Sequence, residues 1–254
     1  MTGFGAFLGK ELTEIRRTWR LWVIPGMLVF FGITSPIIAA LTPALVQSMA
    51  TSQPGLVIRI PPPTARDAYV QFIKSLDQLV LIAIIITGAS VVSGERSSGT
   101  AILALTKPLS RAAFVVAKIL SQTMLLVAAT ALGTAVCLAV TAVVFDGAGG
   151  ARLLTAVAFW LLYAVLLIVV MTLFSAAFRS RGVAAGAGLG FYFVTLLVSA
   201  WGPAARYSFL GLVLATQKAL VMESLSLGWP IATAVVAIGA GAVAAVRVFE
   251  RQEL

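Results

Sequence analysis

Few of the residue types that make and break bonds occur in this chain, and none stands in a working arrangement. There is no histidine and a single cysteine, Cys137, set inside an apolar run. A histidine-containing metal site, a Ser-His or Cys-His nucleophile pair and an intrachain disulfide are therefore excluded. Asparagine is absent as well, which removes N-glycosylation. The nearest approach to a phosphate loop, Gly5 through Gly9-Lys10, is one residue short, and Glu11 stands where the hydroxyl belongs. What remains is charge. Residues 93–118 read SGERSSGTAILALTKPLSRAAFVVAK and gather Glu95, Arg96, Lys107, Arg111 and Lys118 between long apolar runs. The chemistry expected of such a stretch is recognition of a partner, and the chain is expected to be no enzyme.

The elements that must position this stretch follow from composition. Of 254 residues, 60% are hydrophobic and 11% charged, against about 25% charged in a soluble domain. Too little polar surface is available to coat a water-soluble globule, so the expected class is an all-α integral membrane protein. Six apolar segments, 21–45, 78–93, 119–145, 153–178, 183–200 and 229–246, are expected to span. Before the first, Phe4, Phe7, Leu8, Leu12, Ile15 and Trp19 keep helical spacing while Lys10, Glu14, Arg16 and Arg17 fill other positions. This predicts a retained amphipathic helix over 4–19, lying in the membrane interface.

Pro25, Pro36 and Pro43 predict kinks or an early end in the first span. Residues 46–74 form an outer segment containing Pro61, Pro62 and Pro63. From Tyr69 onward, Phe72, Ile73, Leu76, Leu79 and Val80 predict a helix entering span two directly, with Asp67, Lys74 and Asp77 interrupting it. Residues 78–93 alone would reach only about 24 Å, short of a hydrocarbon core near 30 Å. Gly182, Gly186 and Gly190 recur every four residues, the spacing of a small-residue packing face. Residues 203–228 carry Arg206, Lys218 and Glu223, which predicts a re-entrant or surface hairpin. The spans are expected to hold no charge away from their ends, which weighs against an ion-coupled transporter.

The net charge of +9 fits the positive-inside rule better than nucleic-acid binding. One side of a six-span arrangement holds twelve Lys and Arg residues and the other six. Both termini and residues 94–118 are therefore expected in the cytoplasm, with the chain in the cell membrane.

Within that loop, Ser97 or Ser98 is expected to cap a short helix beginning near Gly99-Thr100, and Lys107-Pro108 to stop it. Ser110 is expected to cap the helix entering span three, with Lys118 snorkelling to the interface. The short helix would expose Glu95, Arg96 and Lys107 around the apolar Ile102, Leu103 and Leu105. The run from Glu95 to Arg111, with Lys118 seven residues on, resembles the E-x-x-x-G-T-L-x-x-L-L-x-x-P-x-x-R…K signature of type-2 ABC exporter permeases. Matching positions include Glu95, Gly99, Thr100, Pro108, Arg111 and Lys118. Ile102 and Ala104 depart from it. The resemblance implies a coupling helix seated in a separate cytoplasmic ATPase, which binds ATP and Mg while this chain binds no cofactor. It also implies a second permease copy, a contact surface over residues 95–107, and Pro108 and Arg111 fixing the angle of span three. The alternatives are an ion-coupled secondary transporter and a non-transporting membrane anchor that recruits a soluble partner.

Overall fold

A computed structural model describes residues 2–50, 61–97, 99, 110–145, 149–221 and 228–251. Among these, all regular structure is helical. Helix α1 covers Thr2–Arg17 and α2 covers Arg20–Ala50. Then come α3 (Ala65–Ser75), a π-helical turn (Leu76–Val80), α4 (Leu81–Gly88) and the short α5 (Ser93–Ser97). The remainder are α6 (Arg111–Val144), α7 (Ala151–Ala177), α8 (Arg181–Ser199), α9 (Gly202–Tyr207), α10 (Gly211–Val221) and α11 (Gly228–Glu250).

Six stretches are long and apolar enough to cross a bilayer: Leu21–Ser48, Ala65–Ser97, Arg111–Val144, Ala151–Ala177, Arg181–Ser199 and Gly228–Glu250. Their outward faces are apolar too, as at Val143 (82% exposed) and Leu197 (75% exposed). A helix apolar on every side is stable only where lipid replaces water. The chain is an all-α membrane protein. Helix α7 is its centre, burying Trp160, Ala164, Leu167 and Val169 against neighbours on several sides.

Span two shows how sequence sets these elements. After Pro61, Pro62 and Pro63 the chain turns into α3, where the Asp67 carboxylate accepts from the Thr64 backbone N–H (2.8 Å) and the Thr64 hydroxyl (2.7 Å). That pairing satisfies a donor at the helix start. The stripe Tyr69, Phe72, Ile73, Leu76 and Val80 is buried and carries the helix directly into the span. Leu76–Val80 then widens to a π turn, which disturbs the regular carbonyl ladder. The Tyr192 hydroxyl of α8 donates to the Asp77 carbonyl at 2.6 Å. Near the other end the helix loosens between α4 and α5. There the Val92 and Ser93 amides donate to Ser175 Oγ of α7 (2.9 and 3.0 Å), and Ser175 donates to the Ala89 carbonyl (2.9 Å). One buried hydroxyl thus holds the loosened segment against α7.

Helix α2 runs from Arg20 to Ala50 through Pro25, Pro36 and Pro43, without the early end that was one of the two expectations from the prolines. Neighbouring helices and Ser or Thr side chains tolerate such prolines in membranes. Helix α6 supplies the neighbour by a close crossing. A Cβ on Gly32 would sit 2.6 Å from the Gly133 carbonyl, and one on Gly133 would sit 2.8 Å from the Leu28 carbonyl. The four-residue glycine series of α8 meets little within this chain. A Cβ on Gly186 or Gly190 would meet nothing within 4 Å, and one on Gly182 only Ser180 Oγ at 3.7 Å. The tight glycine of α8 is Gly188, where a Cβ would collide with Met171 and Ile85. The 203–228 region holds α9 and α10, both too short to span, with Leu212, Ala215 and Leu220 of α10 buried. Gly133→Ala should lower stability by about 1–3 kcal/mol, because the obstacle is rigid backbone. Gly186→Ala should leave the thermal midpoint of the detergent-solubilised protein unchanged or raised. Equal losses in the two would show that the α2–α6 crossing is not glycine-dependent.

Candidate functional site

Helix α6 begins at Ser110, whose side chain accepts from the Ala113 amide at 3.1 Å, satisfying a donor left open at the helix start. From there Arg111, Phe114, Val115 and Lys118 fall on one face, and Phe114, Val115 and Lys118 are fully or almost fully buried. The same face that carries the apolar residues inward carries the ammonium. Lys118 is 2% exposed, so the snorkelling geometry expected of it is corrected. A buried ammonium requires paired anions, and it has them. Lys118 Nζ lies 2.7 Å from Glu95 Oε1 and 3.1 and 3.2 Å from the two oxygens of Glu11. It also stands 4.9 Å from the centre of the Phe114 ring, close enough for a cation–π contribution.

Glu11 comes from α1, whose Phe7, Glu11 and Ile15 are buried at four-residue spacing. Phe7 packs on Phe114 with ring centres 5.2 Å apart, and Phe114 stacks on Phe249 of α11 at 5.1 Å. An aromatic stack thus joins α1, α6 and α11 beside the ion cluster. Lys10 closes the cluster from the water side, its Nζ 2.8 Å from Glu14, 3.1 Å from Glu95 and 3.2 Å from Glu11. Burial would depress the Lys10 pKa, but the carboxylates of Glu14, Glu11 and Glu95 outweigh it and raise the value. Its contribution is therefore complete below the unfolded lysine range and is lost only at strongly alkaline pH. Glu11, Glu14 and Glu95 lie close enough to share a metal ion. The two ammonium groups already provide the positive charge among them.

Three arginines tie the same end of the bundle together. Arg96 Nη1 donates to the Ala176 carbonyl at the end of α7 (3.1 Å). Arg111 Nη1 donates to the Glu250 and Phe249 carbonyls at the end of α11 (2.8 and 3.4 Å). Arg181 Nη2 of α8 donates to Ser97 Oγ (3.4 Å). Cations at helix carboxyl ends satisfy orphan carbonyls and the helix dipole together. Gly99 has φ +73°, a conformation that favours glycine, and its amide donates to the Arg96 carbonyl at 3.3 Å.

Of the predicted contact residues, Glu95 joins the ion cluster, Arg96 and Arg111 reach the ends of α7 and α11, and Gly99 bonds back to Arg96. Thr100, Ile102, Leu103, Leu105, Lys107 and Pro108 lie outside the described residues. Glu95 is only 8% exposed and faces the cluster, which corrects its expected place on an open docking surface. Glu11 and the role of Lys10 were missed. The available signal was Glu11 falling between Phe7 and Ile15 on the buried face. Asp77 and Lys118 lie in the long apolar helical stretches, each one residue outside the segment expected to span. Lys118→Met should lower stability by about 3–5 kcal/mol, because it strands buried carboxylates. Lys10→Gln, at a half-exposed site, should cost about 1 kcal/mol. Thermal midpoints of the solubilised variants check the ranking, and equal losses would contradict it.

The comparisons accord with this architecture. The family model described as "ABC-2 family transporter protein" matches residues 6–245. The chain is also similar to a protein of Bacillus subtilis (strain 168) named "Uncharacterized transmembrane protein YxlG". The two are 23% identical over 185 residues, covering 73% of this chain and 72% of that protein. With the family match running from α1 to α11, the chain belongs to the ABC-2 family of transporter membrane proteins.

Proposed function

We propose that this chain is the permease subunit of an exporter driven by a separate cytoplasmic ATPase. The observation that carries the reading is the family match over residues 6–245. The anchoring of both flanks of residues 98–109 supports it. On one flank Glu95 reaches Glu11 of α1 through Lys118, and Arg96 reaches the end of α7. On the other, Arg111 reaches the end of α11. A push on the intervening segment would be delivered to α1, α7 and α11 together, as a mechanical input requires.

In this reading the end bearing both termini faces the cytoplasm, consistent with its excess of Lys and Arg. ATP and Mg are bound by the partner, hydrolysis occurs there, and a second permease copy completes the pathway. Residues 98–109 dock, with Ile102, Leu103 and Leu105 as the apolar contact. Dependence of flux on ATP separates this reading from ion coupling.

The test is affinity capture of the tagged chain from cells expressing its neighbouring genes. A P-loop ATPase should co-elute at equal stoichiometry, and Leu103→Asp should release it while the purified permease keeps its thermal midpoint. Recovery of the chain alone, or retention of the ATPase by Leu103→Asp, would contradict the proposal.

A further inference from the structure

A cavity of about 330 Å³ opens near the π turn of span two, well separated along that span from the ion cluster. It is bounded by the π turn, α7, α8 and α10, and its lining includes Asp77, Gln78, Trp160, Tyr163, Tyr192 and Gln217. A volume near 300 Å³ is within the range of small-molecule sites. Two features give it chemistry. Asp77 is the charged residue of the lining; Lys74 and Lys218 are exposed and are not part of it. No salt bridge involves Asp77 among the described residues.

The walls are aromatic, from Trp160, Tyr163 and Tyr192. The tyrosine hydroxyls are already engaged, Tyr163 with Thr195 at 2.7 Å and Tyr192 with the Asp77 carbonyl at 2.6 Å. Their rings are what they offer a ligand. Trp160 is fully buried, and its Nε1 has no hydrogen-bond partner among the described residues.

We propose that this cavity binds an organic cation, an ammonium compound with an apolar or aromatic body. The ammonium pairs with Asp77 and the surrounding rings. A carboxylate within aromatic walls favours a cation over an anion or a neutral isostere on charge alone. Binding is a property of this chain by itself and does not rest on the ATPase reading. Loss of either conclusion leaves the other standing.

The probe is benzoylcholine, an aromatic ester with a quaternary ammonium, titrated calorimetrically into the chain in dodecyl maltoside, with empty micelles as blank. Saturable binding is expected. Asp77→Asn should weaken it roughly tenfold or more without changing the thermal midpoint. Gln217→Lys, an exposed change at the rim, should also weaken it and serves if Asp77→Asn fails to fold. Heat no greater than that of empty micelles would overturn the proposal. So would undiminished affinity in a folded Asp77→Asn, or in Gln217→Lys should that variant have to decide.

Discussion

A lysine held out of water governs one end of this molecule. Lys118 sits on the inward face of α6 with 2% of its surface exposed, and an unpaired ammonium there would be prohibitively costly. The requirement fixes partners far away in sequence. Glu11, 107 residues earlier, draws α1 onto the bundle, and Glu95, 23 residues earlier, fixes the end of span two. The Phe7–Phe114–Phe249 stack then extends the same junction to α11. The first and last charged positions of the resembled signature, Glu95 and Lys118, are thus one ion pair at 2.7 Å. Their spacing in sequence reflects a contact between two helix ends rather than two points on a docking surface.

Span two links this junction to the opposite end of the bundle. Between Asp77 in the π turn and Glu95 at the cluster lie 18 residue steps, roughly 27 Å if fully helical at 1.5 Å per residue. Both ends of the span depart from ideal helix, and in each case a hydroxyl from another helix is bonded there. Tyr192 serves the π turn, and Ser175 serves the loosened segment near Ser93. These irregularities are positioned, not frayed: Val92, Ser93 and Val80 are buried around them.

Legibility in the sequence followed the length scale of the physics. Apolar runs identify the spans because bilayer thickness imposes a length, and the proline run followed by a helical stripe identified α3 entering span two. The all-α membrane class and the family resemblance were readable in the same way. Burial of individual charges was not. Lys118 and Glu95 each look like ordinary helix-end residues, and the reason for their burial comes from α1 across a gap of 107 residues. Glycine spacing is less specific. Gly182, Gly186 and Gly190 share a four-residue repeat, yet Gly188, on another face of α8, meets Met171. A small-residue pattern states that close approach is possible and not which neighbour stands opposite. Asp77 read as part of an outer helix entering span two directly, and continuous packing of Phe72, Leu76 and Val80 forms that helix.

The most direct measurement of the central claim is hydrogen–deuterium exchange of α1 in the solubilised protein, comparing the parent chain with Glu95→Gln. Glu95 is on span two, and its link to Thr2–Arg17 runs through the two lysines of the cluster. If the cluster holds these elements as one body, α1 amides should exchange faster in Glu95→Gln, while the middle of α7 keeps its protection. Unchanged exchange across α1 would mean that the aromatic stack alone seats the amino-terminal helix, and that the buried ion cluster is not what the structure depends on.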